Sequence, residues 1–255
     1  RADQLIMTTG AAAALNILLK TVLNPGDEVL TFAPYFSEYK NYVQNYGGVL
    51  RPVATDSATF LPDLDALRAA VSKKTRALIL NTPNNPSGVV YSEEVIRGIQ
   101  TVLAEKEREF GSCILVISDE PYRELVYDGA MVPWIPALMP HAAVVYSYSK
   151  TLSLPGERIG WLLLPDSIPE ARELYAAAVI ANRISGFVNA PSLMQRVLKR
   201  THGCRADFSV YEHNRALLLQ ELPEMGYRLV KPEGAFYLLI QAPEGDDAAF
   251  AATLK

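Results

Sequence analysis

The chain has 255 residues, of which 49% are apolar and 20% charged, a composition typical of ordinary globular proteins. Twenty-four Lys and Arg against 28 Asp and Glu give a formal net charge of −4. This slightly negative net charge, together with the absence of a long basic run in the sequence, argues against nucleic-acid or membrane-surface partners. Cys113 and Cys204 form no C-x-x-C pair and no histidine has metal-ligand spacing, so we expect neither disulfides nor a metal site, as in a reducing cytoplasm.

No stretch approaches the roughly 20 continuous apolar residues of a membrane span. The chain begins at Arg1 in a segment that already has the pattern of mid-domain structure, and its last ten residues have a helical pattern. We therefore expect an internal fragment of a longer protein.

Strands and helices are predicted to alternate along the first two thirds of the chain. The predicted strands are residues 4–8, 28–32, 49–53, 76–80, 113–118, 142–146 and an additional strand at 159–164. The predicted helices are residues 11–23, 35–46, 62–71 and 92–110, the last with Ser92 as its N-cap. Repeated βα alternation predicts the α/β class, with a mostly parallel sheet flanked by helices.

The rest of the chain departs from this alternation. The proline-rich stretch at 133–140 predicts a surface loop, and the pattern after Asp166 is helical to about Met225. Residues 227–230 and 235–240 predict a strand pair. We therefore expect a large domain over residues 1–200, followed at 201–255 by an interdomain helix and the start of a smaller α+β domain.

Four polar clusters directly follow predicted strands, at residues 8–10, 81–88, 119–122 and 147–150. Ligands of open α/β sheets bind beyond the carboxyl ends of the strands. Parallel strands bring all four clusters to one edge, which predicts a single shared site.

The residue types in these clusters indicate a cofactor with a phosphate and an aldehyde. Lys150 offers an amine that can form a Schiff base with an aldehyde, while nearby hydroxyls and Arg158 can hold a phosphate. Gly10 directly precedes a predicted helix, whose free N–H groups attract anions. A carboxylate such as Asp119 can stabilise a protonated ring nitrogen. Each feature also has a simpler reading: a glycine turn, an acidic helix cap or, for residues 81–88, a turn-rich loop.

Taken together, the four motifs resemble the fold-type I pyridoxal-phosphate enzymes, and specifically the class I/II aminotransferases. The resemblance runs from Thr8 to the sequence Pro-Glu-Gly-Ala-Phe-Tyr at residues 232–237. It implies that Lys150 is the Schiff-base lysine and that Asp119 keeps the pyridine nitrogen of pyridoxal 5′-phosphate protonated. Tyr122 and Asn85 match the two residues that hydrogen-bond to the ring oxygen.

The resemblance also implies how the rest of the cofactor is held. Phe36 falls where family members stack an aromatic ring on the pyridine, although a core aromatic is an equal reading. The phosphate contacts are implied to come from the helix start and the lysine loop: Gly10, Ala11, Ala12, Ser147, Ser149 and Arg158.

The implied activity is transfer of an amino group from an L-amino acid to a 2-oxo acid by a cytoplasmic homodimer. One rival is a C–S β-lyase of the same fold, but such relatives usually carry Ile-His where Pro121 and Tyr122 follow the Asp-Glu pair. A second is the effector domain of a transcription regulator, which requires a winged helix before Arg1. In the family the arginine that binds the substrate carboxylate lies near the C-terminus, and we expect it beyond the last residue of this sequence, so the resemblance leaves donor and acceptor open.

Overall fold

The structure is a computed structural model that describes residues 2–254, and seven strands form one mixed sheet at its centre. The strands are β1 Leu5–Thr8, β2 Glu28–Phe32, β3 Val49–Val53, β4 Thr75–Asn81, β5 Leu115–Asp119, β6 Ala142–Ser147 and β7 Gly160–Leu163. The helices are α1 Ala11–Val22, α2 Glu38–Gln44, α3 Leu64–Ala70, α4 Glu93–Phe110, α5 Ile135–Leu138, α6 Tyr148–Thr151, α7 Ala171–Ile184, α8 Ser192–Thr201, α9 Ser209–Glu224 and α10 Asp247–Thr253.

The strand order β1-β7-β6-β5-β4-β2-β3 determines which loops meet. Strands β2 to β6 pair in parallel, whereas β7 is antiparallel to both of its neighbours, β6 and β1. Because both β6 and β1 are antiparallel to β7, the strands β1 and β6 run in the same direction. The predicted mostly parallel sheet is confirmed, and β1, β4, β5 and β6 all end at one edge.

Apolar side chains cover both faces of the central strands, which explains why those strands are continuous apolar runs. Every residue of β5 and β6 is buried. One face packs against α1, α2 and α7 through residues such as Ile117 and Val145. The other packs against α3, α4 and α5 through residues such as Leu78 and Val116. The strand ends are therefore held rigidly.

The limits of α4 follow from its sequence. Ser92 caps its start by accepting a hydrogen bond from the Val95 N–H at 3.3 Å, as predicted. Gly111 ends it in the left-handed region at φ 62°, where glycine carries no Cβ penalty.

Two sequence predictions are wrong, and one predicted helix is shorter than expected. The proline-rich segment is not merely a surface loop, because it contains α5, with Ile135 and Met139 fully buried in the core. The helix predicted at 35–46 is present as the shorter α2, Glu38–Gln44. The strands predicted at 227–230 and 235–240 do not form; two isolated bridges pair Leu229 with Ile240 and Gly234 with Val126. The backbone there is instead bonded to the large sheet's loops, as the Ala235 N–H donates to the Leu125 carbonyl at 2.9 Å.

The helical run predicted after Asp166 contains α7, α8 and α9. Residue 200 as a domain boundary stays a prediction. Among residues 2–254, no helix is both long and apolar enough to cross a membrane.

Gly160 provides a test of the close packing beside the predicted site. A Cβ on Gly160 would lie 2.3 Å from the Tyr146 carbonyl oxygen and 3.0 Å from the Gly10 Cα. Since rigid backbone surrounds it, Gly160→Ala is expected to lower the free energy of unfolding by about 1–3 kcal/mol, measured by urea denaturation of the full-length protein. Gly156→Ala, whose Cβ meets nothing within 4 Å, is the control. Equal denaturation midpoints for the two variants would contradict the close packing of Gly160 against Tyr146 and Gly10.

Candidate active site

A cavity of about 250 Å³ opens at the edge where β4, β5 and β6 end. It is lined by Ala11, Ala12, Leu15, Phe36, Tyr39, Tyr42, Asn81, Asn85, Asp119, Pro121, Tyr122, Ser147, Ser149, Lys150, Pro155 and Arg158. Ten of the eleven site residues predicted from the sequence are in this set, and the eleventh, Gly10, adjoins it. The structure thus brings together five segments that are far apart in the chain.

Asp119, the last residue of β5, is buried on the cavity floor. Its Oδ2 accepts a hydrogen bond from the Tyr39 hydroxyl at 2.5 Å. Its Oδ1 is buried and has no hydrogen-bond partner among the described residues. Burial raises the pKa of this carboxyl to about 7; the bond from Tyr39 opposes the rise and the nearby charge of Glu120 adds to it. A cationic donor at Oδ1 would favour the ionised carboxylate.

Two asparagines organise the loop after β4. The Asn81 side chain donates to the Asp119 main-chain carbonyl at 2.8 Å and accepts from the Asn85 N–H at 2.6 Å. Asn84 is buried and accepts from both the N–H and the hydroxyl of Ser87. Asn85 is the one of the two neighbouring asparagines that faces the cavity.

Tyr122 lies against the segment at residues 232–237. Its hydroxyl is 3.1 Å from the Tyr237 hydroxyl, and its ring makes an edge contact with the Phe236 ring. Burial raises the pKa of Tyr122, as do the bond to Tyr237 and the charges nearby, while a hydrogen bond with Asn85 opposes the rise. Tyr122 is therefore a neutral phenol that can donate a hydrogen bond into the cavity.

Lys150 is carried by the short helix α6, which directly follows β6. The Ser147 hydroxyl caps this helix by accepting from the Ser149 N–H at 3.2 Å. The Lys150 Nζ lies 5.0 Å from the centroid of the Phe236 ring. Partial burial, and then the positive charge of Arg158, lower the pKa of Lys150. Both effects favour the neutral amine, which is the nucleophilic form.

Anion-binding groups meet where the start of α1 approaches Arg158. Gly10 precedes α1 with a φ of 89° and leaves the first N–H groups of that helix free to bind a ligand. A Cβ there would lie 2.9 Å from Nη2 of Arg158, so only glycine lets the guanidinium approach the helix start. The Ser147 and Ser149 hydroxyls are hydrogen-bonded to each other at 2.7 Å, so one of the two keeps its proton free to donate to a ligand. This combination suits a phosphate.

The sequence analysis missed several residues of the cavity wall. Asn81 could have been found, because it is the first polar side chain after a continuous apolar strand. Tyr39 carries no such signal: it is one of several tyrosines in the segment around α2, and only the packing of α2 on the sheet brings it to Asp119. Tyr237 lies 115 positions after Tyr122 and reaches it only through the folded C-terminal segment.

The fold and cavity together define a class of proteins in which a mostly parallel sheet gathers a lysine amine, a buried carboxylate and anion-binding groups at its carboxyl edge. The chain belongs to the aminotransferase class I and II family, whose model matches residues 1–255. Pyridoxal 5′-phosphate is the cofactor of this family.

Similar proteins support the same assignment. The chain is 32% identical over 254 residues to a probable aspartate/prephenate aminotransferase of Thermus aquaticus, covering 97% of the chain and 64% of that protein. It superimposes on an aminotransferase from Eubacterium rectale with a TM-score of 0.97 and 47% identity, over 99% of the chain and 64% of that structure. An aspartate aminotransferase mutant of Thermus thermophilus gives a TM-score of 0.85 and 30% identity, over 99% of the chain and 69% of that structure. The chain spans 64% of the length of the first curated relatives it matches.

The raised pKa of Asp119 predicts a pH-dependent stability of the cofactor-free protein. Its folded pKa of about 7 lies above the ordinary 3.8, so the folded chain binds this proton more tightly than the unfolded chain. The stabilisation is complete below the ordinary pKa and is lost as the pH rises to about 7. Asp119→Asn should therefore gain stability relative to wild type, by up to about 1.4 kcal/mol per pH unit between pH 4 and 7.

The measurement is urea denaturation of both cofactor-free proteins across this pH range. Asp65→Asn is the control, because the Asp65 side chain is 95% exposed. A difference between Asp119→Asn and wild type that does not change with pH would show that Asp119 is already ionised in the folded chain.

Proposed function

We propose that the protein containing this chain is a pyridoxal-phosphate-dependent aminotransferase, which transfers an amino group from an L-amino acid to a 2-oxo acid. One observation carries the proposal: a single cavity holds a lysine amine, a buried carboxylate oxygen without a partner, and an arginine beside a helix start. Each of these matches one part of the cofactor: the aldehyde, the ring nitrogen and the phosphate.

The residues present fit the cofactor. The Asp119 Oδ1 would accept a hydrogen bond from the protonated ring nitrogen, which gives this buried oxygen the partner it lacks. Arg158, Ser147, Ser149 and the first N–H groups of α1 would hold the phosphate, and Phe36 would cover the ring. When bound, the cofactor supplies an aldehyde carbon and a ring that withdraws electrons from the substrate's Cα.

Lys150 would perform two tasks. Its lowered pKa favours the neutral amine, which would hold the cofactor covalently until an amino acid takes its place. Once released, the same Nζ would accept the proton from the substrate Cα and so act as the general base. The neighbouring rings of Phe236 and Tyr122, 5.0 and 6.0 Å away at their centroids, would limit the access of water to this proton.

Asp119, Tyr122 and Asn85 would control the charge around the ring. Ionised Asp119 would keep the ring nitrogen protonated by opposite charge. Tyr122, a phenol whose pKa is raised by burial, would donate a hydrogen bond to the ring oxygen, together with Asn85. Tyr39 would hold Asp119 in place through its bond to Oδ2.

The names of the similar proteins favour the aminotransferase over the two rival functions, since the relatives compared above are named aminotransferases. Several are named for aspartate, which makes aspartate the first donor to test; the acceptor stays open. We also propose a cytoplasmic homodimer, and a large domain at 1–200 followed by the start of a smaller one at 201–255. The localisation, the oligomeric state and the domain limits are proposed from the family resemblance.

The role of Lys150 can be tested by trapping the cofactor on the chain. Borohydride reduction of the full-length protein, followed by peptide mass spectrometry, should place the cofactor on Lys150. Lys150→Ala should retain cofactor only through non-covalent contacts and lose it on dialysis, while Lys199→Ala, on the exposed face of α8, should behave as wild type. Reduction that labels Lys150→Ala as strongly as wild type would contradict the assignment.

The type of reaction can be tested with a panel of amino donors. Aspartate, alanine, aromatic and branched-chain amino acids are each supplied with 2-oxoglutarate or pyruvate, and oxo acid and ammonia are measured in parallel. An aminotransferase forms a new amino acid without ammonia, whereas a C–S β-lyase releases ammonia and a thiol from cystathionine. Ammonia release in proportion to turnover would overturn the proposal.

A further inference from the structure

A second group of reactive side chains lies at the opposite edge of the sheet from the cavity. Cys113 and His141 come just before the adjacent parallel strands β5 and β6, and Glu107 lies in the last turn of α4. Six residues separate Cys113 from Asp119, a distance of about 20 Å along an extended strand. This cluster is therefore separate from the cavity, which receives the carboxyl ends of the same two strands.

The three side chains converge on one point. The His141 Nδ1 lies 2.9 Å from Oε1 of Glu107 and 3.4 Å from the Cys113 Sγ. All three ligand atoms lie within 4.8 Å of one another. In a tetrahedral zinc site, bonds of about 2.0–2.3 Å place neighbouring N, O and S ligands about 3.3–3.6 Å apart. The two distances from His141 Nδ1 lie within about half an ångström of this spacing, and the third pair of ligand atoms is no more than 4.8 Å apart.

Backbone hydrogen bonds fix the elements that carry these side chains. Oε1 of Glu107 accepts the Ile114 N–H at 2.7 Å, and its main-chain carbonyl accepts the Ser112 N–H at 3.2 Å. The His141 carbonyl accepts the Val116 N–H at 2.9 Å. The Glu107 and His141 side chains are 13% and 26% exposed. The Glu107 and His141 ligands are therefore already positioned before any cation binds.

The same geometry argues against a nucleophilic cysteine. A Cys–His–Glu relay needs the thiol on one imidazole nitrogen and the carboxylate on the other. Here both approach Nδ1, which can satisfy only one of them by a hydrogen bond.

We propose that Glu107, Cys113 and His141 form a Zn²⁺ site with three protein ligands and a water molecule in the fourth position. Sulfur, imidazole nitrogen and carboxylate oxygen together favour Zn²⁺ over Mg²⁺ or Ca²⁺, which prefer oxygen ligands. Cys113 is exposed and also lines a surface cavity of about 380 Å³, which gives the ion a path of entry and the water a place. The ion links α4 to the starts of β5 and β6 and so stabilises the folded protein by mass action.

The experiment is titration of the full-length, cofactor-loaded protein with ZnCl₂ by calorimetry, and with CoCl₂ by absorption. Wild type should bind one Zn²⁺ per chain at this site and unfold at a higher temperature when Zn²⁺ is present. Co²⁺ should give a thiolate charge-transfer band in the difference spectrum between wild type and Cys113→Ser. Removing a group that only hydrogen-bonds to a metal ligand lowers metal affinity about 10–100-fold. Removing a ligand itself should cost at least as much, so Cys113→Ser and His141→Ala should each weaken Zn²⁺ binding by about 100-fold or more.

Two further variants make the result specific. Glu107→Gln removes the charge but can still accept the Ile114 N–H, so weaker Zn²⁺ binding without unfolding would mark Glu107 as a ligand. Cys204→Ser removes the other free cysteine and should bind Zn²⁺ as wild type does. The proposal is overturned if Zn²⁺ stabilises wild type and Cys113→Ser equally, if Co²⁺ gives no thiolate band, or if Cys204→Ser abolishes binding. Should Cys113→Ser fail to fold, the Co²⁺ spectra of wild type and His141→Ala decide the question.

Discussion

The Asp119 carboxyl is buried at the end of β5, where one oxygen is bonded to Tyr39 and the other has no partner within the part of the chain that the structure describes. Burying such a group is unfavourable, and its pKa rises to about 7 as a result. A protonated ring nitrogen at the free oxygen would reverse that shift and recover the lost interaction. The same burial that penalises the empty site thus favours binding of a cationic heterocycle, and the rest of the cavity is arranged around that position.

Two features of the fold bring the other groups to Asp119. The parallel register of β4, β5 and β6 aligns Asn81 with Asp119 and places α6 directly beside them. Because β7 is antiparallel to both β6 and β1, β1 runs parallel to β6, and the start of α1, which follows β1, lies at the same edge. The cavity therefore has amine and carboxyl groups in the middle and anion-binding groups at the side of β1.

Residues 232–237 connect the end of the chain to this edge. The N–H groups of Glu233 and Gly234 both donate to the Gly88 carbonyl, at 2.8 and 2.9 Å. A Cβ on Gly88 would lie 2.3 Å from that of Pro232, so glycine is needed for the contact. The loop that carries Asn85 and the segment that carries Tyr237 are thus held together, and a shift of either would move the groups around Tyr122.

The local sequence determined the alternation of strands and helices, the cap at Ser92 and the polar residues that follow each buried strand, because periodicity and capping depend on neighbours in the chain. From these it also predicted one shared site at the carboxyl edge of the sheet, since parallel strands leave few other arrangements, and the family resemblance supplied ten of the sixteen residues that line it. It could not predict α5, the missing strand pair or the position of Tyr39, because each depends on packing between distant segments. The convergence of Glu107, Cys113 and His141 was equally hidden: their spacing in sequence indicates nothing, and only the pairing of β5 with β6 beneath the end of α4 brings the three side chains together.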